Sequence, residues 1–267
     1  MSRILLIDNG SSRPDSTLTL RRLADALGER LGREVAPVSL QHAHKVPAEA
    51  LGGRPADTLG PYLHHAVSAG KRDFLAVPLF FGPSRALSRF VPETVTELAS
   101  EVGEVRVRIA RELCPLPPGE GRLAAILADH VRIASAGISG ARIVLVDHGS
   151  PIPEVTAVRQ WLAAGLEEQL GTPVHQAVME RREGPEYDFN GRLLSEVLEG
   201  LASDQPTAPV VVALLFIAPG RHAWAGGDIA EIVAGVERRH PGLRTRLTPL
   251  VSAHAGLIDI LADRALE

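Results

Sequence analysis

The chain has 267 residues, about twice the ~100–150 of a typical domain, so two modest domains or one large one fit and a bare module does not. Hydrophobic residues make up 45% and charged ones 22%, which supplies a well-packed core and excludes wholesale disorder. With 28 Lys and Arg against 32 Asp and Glu the formal charge is −4, so no broad cationic field exists for a nucleic-acid backbone or an anionic membrane.

In chain order, the apolar run Ile4-Leu5-Leu6-Ile7 ends in Asp8-Asn9-Gly10-Ser11, and a helical pattern from near Asp15 carries Leu18, Leu23, Leu27 and Leu31 before Gly32 stops it. That spacing predicts strand, loop and helix. A second apolar run covers 35–40, a helical stretch 59–69, and a buried-strand run 74–80 opens into Gly82-Pro83-Ser84-Arg85-Ala86. A helix over 92–101, a strand over 105–110 and a helix over 122–134 follow. Then the pattern returns. Ile143-Val144-Leu145-Val146 runs into Asp147-His148-Gly149-Ser150, followed by a helix with Val155, Val158, Leu162 and Leu166 on one face before Gly171. A strand over 174–179, a helix over 192–201, a strand over 210–216, the loop Ala218-Pro219-Gly220-Arg221-His222, a helix over 228–240, a strand over 243–247 and a helix over 255–265 repeat the first half at an offset of about 136 to 139 residues.

Each half therefore reads βαβαβαβα. Strands that are apolar at nearly every position and alternate with long helices predict parallel sheets covered on both faces and joined by right-handed crossovers. The expected fold class is α/β, with two tandem doubly wound parallel-sheet domains related by internal duplication. The small-residue stretch Ser135-Ala136-Gly137-Ile138-Ser139-Gly140 is the expected boundary, giving domains over 1–136 and 141–267. Cys114 is the only cysteine, so this chain alone builds no disulfide framework, Cys-rich zinc site or iron–sulfur cluster, and a cytoplasmic location is expected. No apolar stretch approaches the ~18–20 residues of a membrane span, and the one after Arg3 is too short for a signal peptide.

In open parallel sheets ligands bind at the carboxyl ends of the strands, and there the two halves differ. After its first strand the second half has His148 where the first has Asn9, and after its third strand it has His222 where the first has Ala86. Two imidazoles from neighbouring strand ends suit metal ligation or proton transfer near neutral pH. Gly149-Ser150 and Gly226-Gly227 each precede a helix, so free backbone N–H groups and positive dipole ends are expected to face an anionic ligand. Arg221 is a candidate carboxylate partner, and Arg85 is its counterpart in the first half. Glu180, after the second strand of the later half, is a third ligand, a proton acceptor, or part of a charged loop with Arg181, Arg182 and Glu183. His254 caps the last helix or lines the pocket, and His175 and His240 are expected to face solvent.

Asp147-His148-Gly149-Ser150, combined with Pro219-Gly220-Arg221-His222 and Gly226-Gly227-Asp228-Ile229, resembles the sirohydrochlorin chelatases, the CbiX/SirB family of the cobalamin and siroheme pathways. The resemblance spans the chain as two family-like halves. It implies ATP-independent insertion of Co²⁺ or Fe²⁺ into an anionic tetrapyrrole, with His148 and His222 handling the metal and no permanently bound cofactor. The metal is then a substrate, the expected partner is the small-molecule tetrapyrrole, and a homodimer is left open. Neutral imidazoles that bind the ion weakly fit a step in which the metal sheds water and two pyrrole nitrogens lose protons. Two-domain members keep the active histidines in the N-terminal half, whereas this first half has Asn9 and Ala86. The first half then becomes a degenerate domain roofing a cleft between the halves, with His42 and His44 near the end of its second strand as further candidates.

Three rival readings remain to be weighed. A non-catalytic tetrapyrrole or metal carrier would use the same histidines. A serine hydrolase fails because Asp147, His148 and Ser150 share one extended loop and no G-x-S-x-G elbow follows a strand. A nucleotide-binding role fails because neither G-x-G-x-x-G nor a P-loop follows a first strand.

Overall fold

A computed structural model describes residues 2–267. Eight strands and eight helices alternate along it, β1(Arg3–Asp8), α1(Pro14–Leu31), β2(Val35–Ser39), α2(Leu59–Ser68), β3(Asp73–Pro78), α3(Val91–Val102), β4(Arg106–Ile109) and α4(Gly121–Ala134) forming the first repeat. The second comprises β5(Arg142–Asp147), α5(Pro153–Leu170), β6(Val174–Val178), α6(Leu194–Asp204), β7(Val210–Leu214), α7(Asp228–Arg239), β8(Thr245–Leu247) and α8(Gly256–Leu266). The strands form two four-stranded parallel sheets of matching order, β2-β1-β3-β4 and β6-β5-β7-β8. The duplicated α/β architecture is as the sequence predicts. None of the helices is long and apolar enough to cross a membrane among the described residues.

The central strands are buried on both faces, which is why they lack polar alternation. Ile4 to Ile7 of β1 and Ile143 to Val146 of β5 are all buried, and Leu5 lies in register between Ala36 of β2 and Ala76 of β3. Edge strand β4 instead alternates, exposing Arg106 and Arg108. Right-handed crossovers put α1 on one face of the first sheet and α2 with α3 on the other. Leu59, Leu63, Val91 and Leu98 of that second pair pack with Leu5, Ile7 and Val38. One local difference from the expected helix over 92–101 is a π-turn, Ala86–Phe90, that leads directly into α3. Pro92 marks the second position of a helix already entered through that turn.

The chain divides into two compact units that do not follow the linear halves. One takes in the chain up to Pro115 with Ala218–Gly220 and Ala255–Glu267, and the other Leu116–Ile217 with Arg221–His254. These units partition the chain by packing and not by repeat, because α4 is traded for α8. Helix α4 packs on α5 and β7, while α8 packs on α1 and β3. In the first unit Arg264 of α8 donates to the carbonyls of Glu112 and Leu113 at 2.9 and 3.3 Å.

Candidate active site

Beyond β5 the chain turns through His148-Gly149-Ser150 into α5. The turn is stitched to the end of β6: the Met179 N–H donates to the Asp147 carbonyl at 2.8 Å and the Glu180 N–H to the His148 carbonyl at 3.1 Å. Gly149 sits at φ +89°, where a Cβ would overlap the Glu180 carbonyl oxygen, so glycine is required. Gly10 holds the same place in the first unit, at φ +83° against the Gln41 carbonyl. The glycine is thus a demand of the strand–turn–helix junction, with or without a histidine before it.

Three of the predicted side chains meet here, all in the second unit. The rings of His148 and His222 lie 4.7 Å apart, edge to face at 74°. His148 Nδ1 is 3.2 Å from the Gly149 carbonyl, and its Nε2 is 3.4 Å from Glu180 Oε1. His222 follows β7, and its Nδ1 lies 2.5 Å from Asp228 Oδ2 at the first residue of α7. A carboxylate on Nδ1 makes that nitrogen the donor and leaves Nε2 as a free acceptor or ligand. Asp228 is quoted in the motif but given no role by the sequence, since an acid at a helix start is ordinarily explained by the helix dipole. Its signal was available in the spacing His222-x₅-Asp228.

Among the described residues, no group of three or more His, Cys, Asp or Glu is arranged to enclose a metal ion. His148, His222 and Glu180 form an open, partly exposed set instead. It places two imidazoles and a carboxylate side by side without enclosing a cavity between them.

The expectation of free amides at the two glycine pairs needs correction. The Gly149 N–H donates to Asp147 Oδ1 at 3.1 Å, the Ser150 N–H to Asn190 Oδ1 at 2.9 Å, and the Gly227 N–H to the Trp224 carbonyl at 2.9 Å. These three N–H groups are spent on acceptors within the protein and are not offered to a ligand. Gly226, exposed at φ +96°, shapes the loop before α7. Arg221 is exposed with no hydrogen bond or ion pair among the described residues, which leaves its guanidinium available to a carboxylate.

Other histidines lie elsewhere. His254 is not at the α8 cap: its Nε2 is 3.4 Å from Asp129 Oδ2, and its ring is 5.6 Å from that of His130, both on α4. His42 and His44 are exposed in a turn after β2, His42 at φ +64°. His175 is exposed as expected, and His240 is half-buried. Beneath the turn, burial holds the Asp147 carboxyl above its ordinary range, opposed by the Arg159 guanidinium at 2.8 Å.

The sequence model of the CbiX family matches residues 3–132 and again 142–267. The chain belongs to the CbiX family. Its two matched segments are the two repeats described above, so this CbiX chain carries one family unit with the histidine pair and one without it. Solved structures of similar fold include SirB from Bacillus subtilis with Fe³⁺, at 18% identity and a TM-score of 0.71, covering 100% of this chain and 95% of that one. SirB from Bacillus subtilis subspecies spizizenii in complex with cobalt matches at 17% identity and 0.67, with the same coverage. CbiX, described as the terminal enzyme for biosynthesis of siroheme in denitrifying bacteria, matches at 16% identity and 0.60, covering 99% of this chain and 98% of that one. No curated relative matches this CbiX chain.

Proposed function

We propose that this chain is a sirohydrochlorin chelatase, a lyase that inserts Co²⁺ or Fe²⁺ into sirohydrochlorin without ATP and without a resident cofactor. The observation that carries the reading is the contact between His148 and His222, 4.7 Å between rings, in a family member whose other repeat has Asn9 and Ala86 there. The metals named for the two SirB structures, Fe³⁺ and cobalt, support iron or cobalt as the element.

Insertion exchanges two pyrrole N–H protons for one divalent ion. In the proposed sequence His148 and the free Nε2 of His222 hold the incoming ion with its remaining sites filled by water. The macrocycle displaces that water, and Glu180, 3.4 Å from His148, accepts a proton as a pyrrole nitrogen takes over the metal. Arg221 pairs with a peripheral carboxylate of the substrate. The second proton leaves to solvent through the exposed His148. An open donor set suits the task, because a closed one would retain the ion.

The test is anaerobic mixing of protein, sirohydrochlorin and Co²⁺ or Fe²⁺, with insertion read from the absorption spectrum against the spontaneous rate. His148→Ala and His222→Ala are each expected to lower the catalysed rate by about 10² or more while keeping the wild-type circular dichroism, since both lie in loops outside the core. Catalysis retained in either variant removes that histidine from the mechanism. Tight binding with no acceleration in the wild type identifies a carrier instead.

A further inference from the structure

The His148 ring touches the Gly149 carbonyl, Glu180 and His222, and the turn that bears it sets where those contacts begin. Under that turn lies a buried polar bridge. Asp147 Oδ1 accepts from the Gly149 N–H at 3.1 Å and from Arg159 Nη1 at 2.8 Å. Arg159 Nη2 donates to the Asn190 carbonyl at 2.6 Å, and its Nε lies 3.4 Å from Gln176 Oε1. The Asn190 side chain then grips the main chain of Ser150 twice, accepting from its N–H at 2.9 Å and donating to its carbonyl at 2.8 Å. Thr156 Oγ1 donates to Asn190 Oδ1 at 3.5 Å, and Asn190 Nδ2 also reaches the Tyr187 carbonyl at 3.1 Å. Arg159 is 2% exposed and Asn190 1%.

We propose that Arg159 and Asn190 are positioning residues that hold the turn Asp147–Ser150 so that His148 meets the metal, a role that rests on the chelatase reading. The first repeat is the internal control. It has the same strand, turn and glycine, yet the seventh residue of α1 is Leu20 where the seventh of α5 is Arg159. Asp8 and Thr17, the counterparts of Asp147 and Thr156, remain, with Asp8 Oδ1 and Thr17 Oγ1 buried and without hydrogen-bond partners. The fold therefore forms without the bridge. The bridge is present where the histidine is present and missing where Asn9 stands. Arg159 partners the buried Asp147 carboxylate, but the twin folds with leucine there and its aspartate oxygen unpartnered, so the bridge is not a requirement of the fold. Holding the ends of a catalytic turn is what such a bridge can accomplish.

The test uses the full chain carrying Arg159→Lys, which keeps the charge and loses the fork, and Asn190→Asp, which keeps the acceptor and loses the donor. Co²⁺ alone is titrated by calorimetry, and kcat and KM for sirohydrochlorin are measured separately. Folded variants with Co²⁺ affinity and kcat reduced about 10–100-fold, at unchanged KM, support the proposal. In a His148→Ala background the same substitutions are expected to cause no further loss of Co²⁺ affinity, because they act through that ring. Additive losses in that background overturn it, as does wild-type affinity in both single variants. Failure of both variants to fold also overturns it, since the bridge would then serve the core. A wild-type protein that binds Co²⁺ but catalyses no insertion refutes the chelatase reading alone, and the titrations still decide the bridge.

Discussion

At His222 the carboxylate of Asp228 decides which ring nitrogen is offered to a ligand. Asp228→Asn keeps a hydrogen-bond acceptor but removes the charge that fixes the tautomer, so Co²⁺ affinity and kcat are expected to fall about 10-fold or more, measured by titration and initial rates. Asp8 poses a different problem. Burial pushes its carboxyl up to about 6 from 3.8, outweighing its bonds to Ser39 and the Gly10 N–H. Below pH 3.8 both folded and unfolded chains are protonated and the residue costs nothing. Between 3.8 and about 6 the unfolded chain ionises first, so stability falls as pH rises, and the penalty is constant above that range. Asp8→Asn is therefore expected to match wild type near pH 3.8 and to exceed it at pH 7, by about 3 kcal/mol at most for this shift. Urea unfolding from pH 4 to 7 measures the gap, and a gap independent of pH contradicts the account. The histidines were legible because their loops follow apolar runs, whereas Arg159 was not. It sits between Val158 and Leu162 in a helix whose polar positions look solvated, and its partners Asp147 and Asn190 are remote in sequence.

Elements were legible to within a few residues because their signals are local: apolar runs for strands, 3.6-residue periodicity for helices, Gly at the exits. What local signals omit is how a turn uses its own donors. Helix starts beside glycine pairs look like anion sites until the loop's own acceptors are known, and here Asp147, Asn190 and the Trp224 carbonyl fill that role. The turn glycines are a matter for the element and not the site. Gly10→Ala and Gly149→Ala are both expected to destabilise the protein by roughly 2 kcal/mol or more, since each forces a Cβ onto a carbonyl in left-handed backbone. Chemical denaturation checks this, and a Gly10→Ala chain as stable as wild type would show that the turn can relax.

The duplication was visible at the scale of the molecule, but the exchange of helices was not. Residues 135–140 have the composition of a linker, and nothing in the apolar stripe of α4 says which of two similar sheets it covers. The partition of the chain has a direct test. A fragment over 141–267 lacks Leu123, Ile126, Leu127 and Val131, all buried on α4, and is expected to be unfolded by circular dichroism when made alone. The same cut co-expressed with 1–136 is expected to give a folded pair, because each piece brings the helix the other needs. Independent folding of 141–267 would mean that α4 is dispensable to its sheet.

The exchanged helix also sets an order of events during synthesis. The first sheet is complete in sequence by Ile109, yet Arg264, which ties α8 to Glu112 and Leu113, follows 152 and 151 residues later. At a translation speed of about 5–20 residues per second, the nascent first unit waits on the order of ten seconds or more with one flank bare. Through that interval the surfaces of α1 and β3 on which α8 packs depend on chaperones or on fast non-native collapse for cover, and late-arriving contacts of such separation fold slowly. A ribosome that stalls before Gly256 would leave this chain with its N-terminal unit, and not only its C-terminal one, unfinished.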